Sequence, residues 1–178
     1  MILAGTGRGN RQSLSSTSLT EASMEPSSST PEHGFLEDLR RRRAELLESM
    51  SAVEHALAAP APSRQAQWAE RVHVALVELS ADFREHIQFT EGSDGLYREL
   101  LRTAPRLSGG VARLTCEHAQ IRDLLDNLLA CVSGPEVNVD VDRVRDLGTA
   151  LLGRLVRHRQ RGSDLIYEAY TADIGGET

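Results

Sequence analysis

Apolar residues recur along this chain at alternating steps of three and four, the spacing that lines them up on one stripe of an α-helix. Leu114, His118, Ile121, Leu125, Leu128 and Val132 form one such stripe, and its one polar member is His118. Leu36, Leu39, Arg43, Leu46, Met50, Val53 and Leu57 form another, interrupted by Arg43. Val72, Leu76, Leu79 and Phe83 run into His86, with Thr90 one turn beyond it, and Leu151, Leu155, His158, Gly162 and Leu165 repeat the pattern. Four amphipathic segments predict an all-α fold. One inward polar side chain on each predicts a site inside it.

The breaks fall where proline and glycine stand. The first helix spans Glu32 to Ala59 and stops at Pro60, Ala61 and Pro62, because proline lacks the N–H donor and restricts the residue before it. Ser63 is placed to cap a second helix that runs to about Glu91. Gly92 to Gly95 ends that helix, Leu96 to Thr103 is a short separate one, and Pro105 to Gly110 leads into the third. Gly134 and Pro135 close the third, and the fourth runs from near Asp140 or Asp142 to about Tyr170. Short connections make consecutive helices antiparallel, so residues 34–172 read as an up-down-up-down four-helix bundle. In that topology Arg43 and His118, near helix starts, meet His86 and His158, near helix ends, at one end of the bundle. Counting from the loops leaves Arg43 and His86 offset by roughly a turn or two, at about 1.5 Å per residue. Gly92, Ser93, Asp94 and Tyr97 recur as Gly162, Ser163, Asp164 and Tyr167, a match that suggests a duplicated helical hairpin.

Outside the bundle the pattern fades. Residues 1–33 read as a disordered tail, with Ser or Thr at eleven of the eighteen positions from Ser13 to Thr30, and residues 173–178 as a flexible end. Gly5, Gly7 and Gly9 lack the flanking strand and helix of a phosphate-binding loop, and Met24 is an alternative start. A formal net charge of −6 argues against a nucleic-acid partner, which needs a basic footprint. Cys116 and Cys131, fifteen residues apart on one helix, are roughly 22 Å from each other and cannot form a disulfide. No secretory core and no membrane-length apolar run is visible, so a cytoplasmic protein without a membrane partner is expected.

Phe83 to Leu100 (FREHIQFTEGSDGLYREL), Arg113 to Leu129 (RLTCEHAQIRDLLDNLL) and Leu155 to Tyr170 (LVRHRQRGSDLIYEAY) resemble the second, third and fourth helices of the hemerythrin-like, or HHE cation-binding, domains. The resemblance covers roughly residues 35–170. It implies a non-haem iron centre, di-iron in the family pattern, that binds dioxygen, nitric oxide or peroxide, or that stores or senses iron. It implies His86, His118 and His158 as metal ligands. The carboxylate expected four residues after His86 falls on Thr90, which leaves Glu91 as its substitute, and Asp164 and Glu168 are further candidates. The chain departs from the family where Arg43 and Arg122 replace expected histidines, and where Gly162 and Ser163 follow His158.

Other readings of the same residues stay open. A lone histidine on an apolar stripe is ordinarily a core residue bonded to a neighbour, and three together form either metal ligands or a hydrogen-bonded polar layer. In the layer, Arg43 needs a carboxylate, for which Glu91 and Glu117 are the candidates, and the protein is then a metal-free helical interaction module. Ferritin-like di-iron chemistry needs two Glu-x-x-His pairs, and Glu70 with His73 supplies only one. His55 is expected to point away from the core. Both cysteines are expected as buried, inert thiols, Tyr97 and Tyr167 as closures of the bundle end, and Trp68 as packing between the first two helices. No arrangement for nucleophilic catalysis is visible, and oxidase or peroxidase activity is implied by the resemblance alone.

Overall fold

The helices begin and end within a residue or two of the proline and glycine breaks. The computed structural model describes residues 31–61, 64–134 and 139–171, so residues 1–30 of the expected N-terminal tail, the expected C-terminal end at 173–178 and the Ser63 cap lie outside the described residues, whereas residues 31–33, expected in the tail, already belong to the first helix. Five α-helices follow one another: α1 (Pro31–Ala58), α2 (Gln65–Glu91), α3 (Leu96–Thr103), α4 (Ser108–Val132) and α5 (Val141–Thr171), with one 3-10 turn at Pro105–Leu107. Among the described residues there is no strand. Arg64 precedes α2 without a side-chain cap, and the Gln65 amide instead donates to the Val139 carbonyl at 2.5 Å. That bond ties the start of α2 to the residues before α5. The expected lead into α4 is shorter than its sequence suggests, because Gly109 and Gly110 lie inside the helix. At Gly110 a Cβ would stand 2.5 Å from Cδ1 of Leu165, so the missing side chain lets α4 and α5 approach closely.

α1 packs on α2 and α5, and α4 packs on the same two helices. Side-chain pairs fix the directions. Arg42 near the start of α1 donates to Glu85 near the end of α2 at 3.0 Å, and Arg145 near the start of α5 donates to the carbonyls of Leu57 and Ala59 at 3.1 Å each. Arg154 donates to Gln120 and Arg161 to Glu117 at 2.9 and 2.5 Å, so numbers rising along α5 fall along α4. The result is the up-down-up-down four-helix bundle that the sequence predicts, with α3 laid across one end.

The apolar core is divided in two. The larger part runs from Trp68 and Val72 past Leu46, Leu76 and Leu125 to Phe83, Ile121 and Leu155. The smaller gathers Leu39, Leu114 and Leu165 with Leu96, Tyr97 and Leu100 of α3. Arg43, His86, His118 and His158 fall between these parts on their respective helices. Each fully buried leucine contributes roughly 1.5–3 kcal/mol relative to exposure. The two apolar blocks therefore hold the polar layer in place.

Two sequence expectations change here. The Gly-Ser-Asp-Tyr match is not structural: its first copy spans the α2–α3 turn with Tyr97 buried, and its second lies inside α5 with Tyr167 71% exposed. Trp68 is fully buried, but Arg145 of α5 covers its ring at 5.6 Å, so α5 joins α1 and α2 in enclosing it. Among the described residues no helix is long and apolar enough to cross a membrane.

The turn that sets α3 depends on Gly95, where an added Cβ would meet the Thr90 carbonyl oxygen at 2.7 Å and the Gly92 nitrogen and oxygen at 2.8 and 2.9 Å. All three are backbone atoms that cannot swing aside. Gly95→Ala is expected to cost about 1–3 kcal/mol of stability, read from urea denaturation; an unchanged midpoint would show that the turn relaxes.

Candidate metal centre

Seam positions on three helices bring three imidazoles together. His86 stands one turn after Phe83 on α2, His118 lies between Leu114 and Ile121 on α4, and His158 follows Leu155 on α5. Their Nε2 atoms converge: His118 and His158 are 3.1 Å apart, His86 and His158 are 3.2 Å apart, and all three ligand atoms lie within 4.8 Å of one another. Phe83 forms the floor, with ring centroids 5.6–6.2 Å from the three imidazoles. Tyr97 of α3 stacks on His118 from the other side at 5.9 Å.

The outer nitrogens explain the orientation. Nδ1 of His118 donates to Glu91, and Nδ1 of His158 donates to Glu117 at 3.1 Å. Glu117 is itself held by Arg161 at 2.5 Å. An ionised carboxylate only accepts, so each Nδ1 carries the ring proton and each Nε2 presents a lone pair. Nε2 of His118 and Nε2 of His158 thus face each other as two acceptors. His86 can turn an N–H toward His158, but among the described residues Nε2 of His118 has no such donor. A cation among the three nitrogens satisfies all of them at once. Metal–nitrogen bonds of about 2.0–2.1 Å place neighbouring ligand nitrogens roughly 2.9–3.4 Å apart; the His118–His158 and His86–His158 separations fall in that range, whereas the three atoms together span up to 4.8 Å, so His86 and His118 draw closer to share one ion.

Each expected site residue can now be located. His86, His118 and His158 are together. Glu91, expected as a ligand, reaches the site through His118, because the five-residue step turns it about 140° from His86 and toward α4. Thr90 is buried but bonds the His86 and Ile87 carbonyls of its own helix at 2.9 and 3.1 Å. Asp164 accepts from Gln160 at 2.8 Å on the exposed face of α5, and Glu168 is also exposed; neither joins the cluster. Arg122 faces solvent. His55 is exposed and bonds Ser51, as expected, and Tyr167 is too exposed to close the bundle. Cys116 is exposed and Cys131 half-buried, contrary to the expectation of two buried thiols: on α4 both positions fall outside the apolar stripe.

Arg43 departs most from expectation. It is half-buried and shares a cavity wall with His86 and His158, but both carboxylates proposed for it are engaged by histidines. Glu117 is the residue whose role the sequence concealed. Its one visible signal is its place beside His118, about 100° round the helix, which turns it toward α5.

Burial sets the charge of the cluster. It pushes His86 down to about 3, helped by the neighbouring imidazoles and by Arg43 and Arg159. Burial also lowers His118, followed by His158 and Arg122, and lowers His158 against the opposing pull of Glu117. These are neutral imidazoles, the form that ligates metal.

In the metal-free protein, the unfolded chain binds a proton at His86 between about pH 6.5 and 3 that the folded chain does not. Stability from this group is therefore full above pH 6.5 and falls as pH drops through that window, by up to about 1.4 kcal/mol per pH unit. His86→Leu is expected to flatten the pH dependence of urea unfolding between pH 6.5 and 4 by up to that slope; an identical slope would show that His86 is protonated in the fold.

A family model for the hemerythrin HHE cation-binding domain matches residues 30–170. That range takes in all four bundle helices, the three histidines, Glu91 and Glu117. Comparison with curated proteins finds no match, and neither does comparison with solved structures. On the family match, which covers most of the chain, and on the bundle it describes, this protein belongs to the hemerythrin HHE cation-binding domain family.

Proposed function

We propose that this protein binds one metal ion on Nε2 of His86, His118 and His158, and that the ion is iron. The observation that carries this reading is the pair of facing acceptors on His118 and His158, whose tautomers Glu91 and Glu117 fix. Three imidazole nitrogens with open positions suit iron among the divalent metals, although they suit zinc and copper as well, and family membership favours iron. The residues fit one ion better than two. The bridging carboxylates of a pair are missing: Thr90 replaces one at its expected place, and Gly162 and Ser163 follow His158. When bound, iron supplies reversible binding of dioxygen, nitric oxide or peroxide at the positions that the protein leaves open.

The protein's own groups have separate tasks. Glu91 and Glu117 act on the ion through the rings: each accepts a hydrogen bond from an Nδ1–H, aims Nε2 inward and strengthens its lone pair. Arg161 keeps Glu117 in position. Phe83 and Tyr97 keep bulk water from the imidazole faces, and α3, which carries Tyr97, acts as the lid of the site.

Elemental analysis of protein expressed in iron-supplemented medium tests the reading, with about one iron per chain expected. His118→Ala is expected to abolish metal binding while the far-ultraviolet circular dichroism stays helical. Glu91→Gln and Glu117→Gln are each expected to weaken binding by about 10–100-fold. Two irons per chain would overturn the single-ion reading, zinc in their place would overturn the choice of metal, and none at all would leave the histidines as a polar layer.

A further inference from the structure

Beside the histidines, toward α1, lies a cavity of about 30 Å³ lined by Arg43 and Arg159 as well as by His86 and His158. Both arginines are half-buried. Among the described residues neither has a carboxylate partner, and the interaction between them is repulsion: burial, and then Arg159, lower the affinity of Arg43 for its proton. An arginine side chain cannot relieve such a clash by losing its charge. The carboxylates that could have neutralised the pair are committed elsewhere, Glu91 to His118 and Glu117 to His158 and Arg161. Leu39, Leu46, Leu96, Leu100, Leu165 and Ile166 make most of the rest of the wall apolar.

Two confined guanidiniums around a small cavity call for a negative charge between them. We propose that this cavity is a binding site for a small inorganic monoanion of two or three heavy atoms, held by the guanidiniums of Arg43 and Arg159. Size sets the upper limit, because a water needs about 10–15 Å³ of such space and the cavity offers about 30 Å³. Charge sets the class: a guanidinium presents its N–H donors in a flat fork that suits oxyanions such as nitrite. The position gives the site its use. Its occupant lies against the rings of His86 and His158, so an anion arriving at the histidine cluster is drawn in and held by the arginines. The site is built by Arg43 and Arg159 themselves and does not depend on the ion proposed above.

The test uses the full chain, as isolated and after chelator treatment, in a chloride-free gluconate buffer of constant ionic strength. Titration with sodium nitrite or sodium azide is expected to raise the melting temperature by a saturable few degrees in both preparations. Sulfate, too large for the cavity, is expected to leave it unchanged. Arg43→Met and Arg159→Met are each expected to lose the nitrite response. Each is also expected to melt no lower than the parent in gluconate alone, since an unpaired charge has been removed. A parent protein that responds equally to nitrite and gluconate, or variants that keep the full response, would overturn the proposal. A chain that holds no metal but responds to nitrite keeps the anion site and refutes the metal reading, and a metal-binding chain indifferent to nitrite does the reverse.

Discussion

Glu91 and Glu117 each accept a hydrogen bond from the Nδ1–H of a buried imidazole, and the chemistry at this end of the bundle depends on those two contacts. With the outer nitrogens committed, the inner ones are left as bare acceptors directed at one another. A protein interior ordinarily pairs every buried acceptor with a donor. Here the pairing is left incomplete at the point where three lone pairs meet, and burial opposes completing it with protons. A cation is the partner that this arrangement accepts most readily.

The apolar core makes that arrangement affordable. One block of leucine, valine and aromatic side chains lies on either side of the histidine layer, and both are large enough to lock the helices in register around it. Phe83 belongs to one block and Tyr97 to the other, so the rings that face the imidazoles also anchor the packing. The short helix α3 has a double role: it finishes the smaller block and, through Tyr97, closes the site. The Gly92–Gly95 turn fixes where α3 starts, and the histidine environment depends on that turn although neither glycine touches an imidazole.

Charge is distributed unevenly around the layer. On the side facing α4, Glu91 and Glu117 outnumber the one cation, Arg161, beside the neutral imidazoles. On the side facing α1, Arg43 and Arg159 stand together with no carboxylate partner among the described residues. The family pattern would place a further ligand where Arg43 stands. Its replacement by a fixed cation turns one wall of the centre from a metal-binding surface into an anion-attracting one.

The fold was legible in the sequence because helices leave local signals. Alternating three- and four-residue spacing identified the buried faces of α1, α2, α4 and α5, and proline and glycine placed their ends. The three histidines were legible for the same reason, since a polar residue on an apolar stripe must face inward. The partners were not. Whether Glu91 reaches a metal or a histidine depends on which neighbouring helix it faces, and the place of Glu117 beside His118 does not by itself single out His158, forty-one residues away. A buried Arg43 needs a carboxylate, and Glu91 and Glu117 are the candidates in the sequence, but both bond an imidazole once the helices assemble. Periodicity along one helix determines which side chains turn inward. Only the packing of four helices decides which of them meet, because those distances are set by chain segments far apart in sequence.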